Sequence, residues 1–418
     1  MNENKIRPLA EEFVTVCESP YPEEVFCYSP GICRCPDGRL VATMDFGGPG
    51  TGKLGSERST VGDYQAGNTG RCFLSDDHGA SWRKVLDFPF FHARPFVAGN
   101  ALYILGHSWD LMIVRSDDRG ETWSEPVRFT EGQHWHQAPC NVCYANGKIY
   151  LVMERYTRTW GWHTLCPVVM AAKTGDDLLR KENWTFSNEF VYCDRVKPPY
   201  GIGAPFFTPG QTDPANPRDK RDMAPVGWLE ANIVQFTDPG HVWFDPAGKT
   251  FHIISRAHTG STNLAMLARA VEDENGKITV GLEQSPAGED MIFIPCPGGQ
   301  MKFHILFDEV TRLFWLLSTQ STDSMVRPET LPPDRFNLPN NERRRLQLHF
   351  SKNCIDWCFA GLVAVGDSEK QSRHYAAMAI DGDDLRILSR SGDGRAVSAH
   401  NGNLITLHTV KKFRDLVY

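Results

Sequence analysis

SDDHGASW (75–82) and SDDRGETW (116–123) carry one pattern, Ser-x-Asp-x-Gly-x-Ser/Thr-Trp, written twice 41 positions apart. Each residue type in it suits a tight turn. An Asp accepts hydrogen bonds from backbone N–H groups two residues on. Gly79 and Gly120 can take the positive φ that a hairpin turn requires. Trp82 and Trp123 bury a large ring beside the hairpin, and the hydroxyls of Ser75 and Ser116 close the ring of turn hydrogen bonds. A turn with a packing peg, repeated at this spacing, predicts a chain built from similar β-units. Degraded copies follow. Residues 171–184 keep an acidic turn and a Trp, SKNCIDW (351–357) keeps Ser, Asn and Trp, and 265–278 keeps only the strand and turn.

The segments between the turns agree. RLVATMD (39–45), ALYILGH (101–107), KIYLVMER (148–155), FHIISRAH (251–258), LFWLLSTQ (313–320) and LQLHFS (346–351) are strand-length and apolar, many of them alternating. The 36 Gly and 27 Pro punctuate the whole chain, which leaves little room for long helices. The best helical candidate is Asp177–Asn183. The expectation is an all-β sandwich, barrel or propeller. Two insertions, near 196–226 and 321–342, are rich in Pro, Asp, Asn and Arg. They read as loops over one face of a single domain spanning 1–418.

A net charge of −7 argues against a nucleic-acid or anionic-membrane partner. No apolar run is long enough to span a bilayer, and none near the N-terminus resembles a signal peptide. A cytoplasmic location is therefore expected, or a periplasmic one if a leader precedes this sequence. The 12 cysteines are scattered, with Cys140/Cys143 as a CxxC that lacks a second pair, so buried free thiols are expected and no metal or cofactor.

The two eight-residue copies match the Asp-box (BNR repeat) signature of the sialidase superfamily, and the chain resembles that superfamily over most of 28–392. The resemblance implies a six-bladed β-propeller, with five blades as the alternative. It places Glu230, in WLEANIVQF, at the family's glutamate and Tyr375, in SRHYAAMAIDGDDLRILSRS, at its nucleophilic tyrosine. It places Arg256, in FHIISRAH, and Arg345, in RRRLQLHFSKNCIDW, at two arginines that grip a substrate carboxylate; Arg343 and Arg344 are register alternatives to Arg345. The family's first arginine is missing, because YSPGICRCPDGRL carries Ser29 or Gly31 there, with Arg34 nearby. Asp45 and Asp63 compete for its acid/base aspartate.

The residues add a histidine group of their own. His92 and Arg94, His107, His134 and His136, His258, and Lys302 with His304 stand at strand ends or in short loops, and Glu154 ends a strong strand. Histidine is the commonest general acid/base near neutral pH, and His136 is the first choice here, with Arg94, His92, His107, Glu154, His258, Lys302 and His304 as substrate contacts. The expected function is an exo-acting glycoside hydrolase that removes a terminal acidic or deoxy sugar from an oligosaccharide. Two alternatives remain. One is a polysaccharide lyase that uses His and Tyr on uronic-acid glycans. The other is a propeller that binds carbohydrate without turnover.

Overall fold

The computed structural model describes residues 7–62, 66–158, 161–196, 227–259, 262–323, 326 and 342–418. Both long insertions lie largely outside these residues. Six antiparallel sheets follow one another along the chain as the blades of a propeller. The first blade is Phe26–Arg34, Leu40–Gly47, Thr69–Ser75 and Arg83–Phe88, counted from the axis outward. The second is Phe91–Ala98, Ala101–Ser108, Asp110–Ser116 and Val127–Arg128. In the third, Trp135–His136 and Cys143–Ala145 share the inner edge, followed by Lys148–Tyr156, Leu165–Lys173 and Trp184–Phe186. The fourth is Gly227–Val234, Thr250–His258, Leu264–Glu272 and Ile278–Gly281. The fifth is His304–Asp308, Leu313–Thr319, Arg345–Ser351 and Cys358–Val365. The sixth is Arg373–Asp381, Asp384–Ser391 and Leu404–Val410, and its outer strand is the N-terminal Phe13–Glu18. That last pairing closes the ring.

The core is divided to match. Six apolar clusters each fill the space between two neighbouring blades. In Lys148–Tyr156, for example, Ile149, Leu151 and Met153 face the second blade, while Tyr150 and Val152 face the fourth. A blade strand is therefore buried on both sides. This is why the second strands read as nearly continuous apolar runs and not as strict alternation.

The twin copies are the turns between third and fourth strands of the first two blades. Their bonding is the same in each. Ser75 Oγ donates to Asp77 Oδ1 (2.8 Å) and accepts from the Gly79 N–H (2.8 Å), Asp77 Oδ1 also accepts from the Ser81 N–H (2.9 Å), and Trp82 Nε1 donates to the Gly79 carbonyl (3.1 Å). Ser116, Asp118, Gly120, Thr122 and Trp123 repeat these contacts. Gly79 and Gly120 have φ of 88° and 94°. A Cβ on Gly79 would also stand 2.2 Å from Leu407 of the sixth blade, so this turn packs on the neighbour as well.

The helix expected at Asp177–Asn183 does not form; only Lys181–Asn183 makes a short 3-10 turn. The Asp177 carboxylate accepts from the Leu179 N–H, and Asn183 donates back to the Asp177 carbonyl. These local bonds compete with helix formation. Trp184 Nε1 donates to the Leu178 carbonyl, six residues back where Trp82 and Trp123 reach three, so the Trp peg is kept on a longer turn. The α-helix among the described residues is Tyr192–Arg195.

Candidate active site

Four inner strands carry the same irregularity. The register slips between Tyr28 and Gly31, Phe91 and Arg94, Leu229 and Asn232, and His374 and Ala377. In each slip the first extra residue is left-handed: Ser29 (φ 44°), His92 (53°), Glu230 (60°) and Tyr375 (52°). Left-handed non-glycine residues are uncommon, and β-bulges re-aim side chains beside active sites. Here they present one side chain per blade near the start of the inner strand. The twin turns follow third strands, which run parallel to the inner ones, so they lie on the opposite face.

A second register position faces the first. The residue before each bulge pairs with a polar residue on the second strand: Tyr28 with Asp45, Phe91 with His107, Leu229 with Arg256, and His374 with Arg390. The third blade has the equivalent pair His136 and Glu154. The site is thus a ring of side chains drawn from two recurring positions.

Two groups stand out in this ring. On one side, Tyr375 Oη donates a short hydrogen bond to Glu230 Oε1. Arg256 Nη1 donates to Glu230 Oε2 (3.0 Å) and to Tyr375 Oη (2.9 Å). Arg343 and Arg390 lie 5.5 Å and 5.3 Å from the centre of the Tyr375 ring. Burial, reinforced by the Glu230 charge, pushes the Tyr375 phenol above its ordinary range. Burial pushes the Arg343 guanidinium down to about 9. Trp162 covers Arg256 at 5.3 Å and meets the His258 ring at 4.7 Å. His258 Nε2 lies 3.0 Å from the Gln300 carbonyl oxygen.

On the other side sit three histidines. His92 Nδ1 is 2.9 Å from His107 Nε2, and the His136 ring stands edge-on to His92 at 5.0 Å. Burial pushes the His92 and His107 imidazoles well below their usual range. His136 Nδ1 lies 3.0 Å from Glu154 Oε2.

No protein-family model matches the sequence, and no curated protein matches it. Solved structures do. A Hadza microbial sialidase superposes with a TM-score of 0.56 at 13% identity, over 96% of this chain and 68% of that one. The sialidase of Trypanosoma rangeli gives 0.53 at 13%, over 98% of this chain and 59% of the other. The alpha-L-arabinanase of Penicillium chrysogenum gives 0.52 at 11%, over 98% and 100%. The chain has the sialidase fold. The six blades settle the count against five.

Within that fold, the sequence candidates are distributed unevenly. Glu230, Tyr375 and Arg256 come together, as do His92, His107 and His136. Arg345 does not join the first group: it turns away to pair with Glu342 at 2.6 Å, and Arg343 stands at Tyr375 instead. The bend at Arg344, just ahead of the strand that starts at Arg345, separates the two. Asp45 is fully buried, and its oxygens accept from Asn68 Nδ2 and the His92 N–H. Asp63 lies outside the described residues. Glu154 is buried behind His136. Lys302 is buried too, and its Nζ reaches backbone carbonyls of the sixth blade. Arg94 donates to the Val152 carbonyl, and His304 Nδ1 accepts from the Met378 N–H. Both line an axial cavity of about 510 Å³ among residues that follow the bulges, such as Ile32, Phe96 and Ile233. That cavity does not hold the Glu230–Tyr375 pair.

Arg390 was missed, although its signal was present. ILSRS (387–391) repeats the IISRA (253–257) that carries Arg256, an apolar strand ending in Ser-Arg.

Proposed function

We propose that this protein is an exo-acting glycoside hydrolase whose terminal sugar carries a carboxylate. The observation that carries this reading is the convergence of Arg256, Arg343 and Arg390 on Tyr375, with Glu230 as the carboxylate among them. Three guanidiniums against one carboxylate leave the site cationic. Guanidiniums bind carboxylates by paired charge-assisted hydrogen bonds. The third arginine comes from the second strand of the sixth blade, where Arg390 also stacks 4.0 Å over Tyr28, the residue before Ser29. It offers the charge that the first blade lacks. The deep burial of Glu230 and Arg256 suits a chain end better than the middle of a glycan.

In this reading Tyr375 Oη attacks the anomeric carbon while its proton passes to Glu230. Sialidases are the glycosidases known for a tyrosine nucleophile. The leaving oxygen takes a proton from His136. Water then attacks the glycosyl-tyrosine, gives a proton to His136, and the phenol recovers its own from Glu230. The products differ from the substrate by one water.

The test is turnover of a panel of sialosides, uronic-acid-linked sugars and rhamnosides, read by mass and ultraviolet absorbance together. The expected result is release of an acidic sugar with gain of water, abolished in Glu230→Gln and Tyr375→Phe. The three neighbouring histidines favour one competing reading, a lyase. Release without water, together with new near-ultraviolet absorbance, would establish that instead. Glycan binding with no turnover would identify a binding propeller.

A further inference from the structure

We propose that Glu154 is a positioning residue that serves two groups at once, fixing the proton of His136 through one oxygen and the backbone that aims Glu230 through the other. The roles of His136 and Glu230 rest on the function proposed above.

The geometry is specific. Glu154 sits opposite His136 in the register of the third blade and is fully buried. Its Oε2 meets His136 Nδ1 at 3.0 Å. Its Oε1 accepts from the Ala231 N–H at 3.1 Å, across the boundary with the fourth blade. Ala231 directly follows the left-handed Glu230. Gln137, also from the third blade, donates to the Ala231 carbonyl at 2.7 Å. Both backbone polar groups of the second bulge residue are therefore held by the preceding blade. A left-handed non-glycine residue costs on the order of 1–3 kcal/mol and persists only where its surroundings enforce it. Glu154 and Gln137 are those surroundings.

The same carboxylate dictates the histidine tautomer. An ionised carboxylate only accepts, so Nδ1 of His136 carries the hydrogen and Nε2 is the nitrogen that gains and loses the catalytic proton. The rings of His92 (5.0 Å), His107 (6.1 Å) and Tyr156 (6.1 Å) also stand against His136. Glu154 is faced at longer range by Glu230 and Arg94. Glu154 is the carboxylate in hydrogen-bond contact with His136, and its charge would favour an imidazolium there. Burial pushes the Glu154 carboxyl up and the bond to His136 pulls it back, as expected of a pair that depends on each other.

Glu154→Gln separates the two tasks. The amide oxygen still accepts from Ala231, but the amide nitrogen now faces Nδ1, which can only accept. The His136 tautomer should therefore reverse from Nδ1–H to Nε2–H, and its titration midpoint should fall. Long-range proton–nitrogen spectra of the labelled full chain read both. On any substrate the protein turns over, kcat should drop by at least ~100-fold, the low end for a lost general acid, with little change in KM. Ala231 amide exchange should stay slow in Glu154→Gln and quicken in Glu154→Ala. An unchanged tautomer and midpoint in Glu154→Gln would overturn the proposal, as would an Nε2–H tautomer in the wild type if the variant does not fold. The spectra need no substrate. Reversal of the tautomer in a protein that turns over nothing refutes the proposed function alone, and an unchanged tautomer in an active enzyme refutes this inference alone.

Discussion

Lys302 Nζ donates to the carbonyl oxygen of Ala376 at 2.7 Å and reaches that of Tyr375 at 3.3 Å. A buried ammonium of the fifth blade thereby clamps the bulge that presents the tyrosine in the sixth. Asp45 does the same for the second blade, accepting the His92 N–H from the first. These residues read in the sequence as substrate contacts or an acid, yet they hold backbone.

Lys302→Met should test the clamp. It leaves two carbonyls without their donor, and an unsatisfied buried polar group costs about 1–3 kcal/mol. The pH dependence has a definite sign. Burial pulls the ammonium down to about 8, below the 10.5 of a free lysine. Between those values the unfolded chain binds more protons than the folded one, so folding gains stability as pH rises. Urea unfolding of the wild type relative to the Met variant should show an advantage that grows from pH 8 towards 10.5. A difference that stays flat across that window would mean that Lys302 is not held in a desolvated place.

Arg343 and Arg345 should part company. Arg343→Lys keeps the charge but loses the planar fork, and kcat/KM for a carboxylate-bearing glycoside should fall by roughly 10–100-fold, about 1–3 kcal/mol of lost binding. Arg345→Ala should leave KM within error and lower the melting temperature, since it takes the Arg345 charge from the buried Glu342 carboxylate and leaves the neutral donors of Thr322 in place. Arg390→Lys should follow Arg343. Equal kinetic losses at 343 and 345 would contradict the register described here.

The twin turns make an acid-limb prediction. Hydrogen bonds from the Ser81 and Thr122 hydroxyls, then from their backbone N–H groups, bring Asp77 and Asp118 down to about 2. Folded values below the unfolded ones mean stability that is present above pH 4 and lost as pH falls through 2. Asp77→Ala with Asp118→Ala should cost about 1 kcal/mol each at pH 7 and flatten the loss of stability between pH 4 and 2. Circular-dichroism melts across that range would show it.

The fold was legible because its signal is local. A turn with Asp, Gly and Trp at fixed offsets is complete within eight residues, and two copies already state a repeat. The pairing of Glu230 with Tyr375 was legible only through resemblance, because nothing local links residues 145 positions apart. The register of RRR (343–345) was not legible, since a single bend at Arg344 puts Arg343, and not the strand's first residue Arg345, at Tyr375. Nor were the bulges: a left-handed tyrosine or glutamate has no composition cue of the kind that glycine gives. The second-strand positions were within reach. Asp45, His107, Glu154, Arg256 and Arg390 each end an apolar run, and aligning those ends blade by blade shows all five.

Because the side chains at the centre are aimed by the blade before their own, no position there is an independent letter. Replacing Glu230 or Tyr375 in search of a new specificity leaves a brace shaped for the old occupant. The heritable unit is a side chain together with its neighbour's anchor: Glu154 with the Glu230 bulge, Lys302 with the Tyr375 bulge. New chemistry on this scaffold should therefore arise by exchange of adjacent blade pairs, and libraries that randomise across a blade boundary should outperform those confined to a single blade.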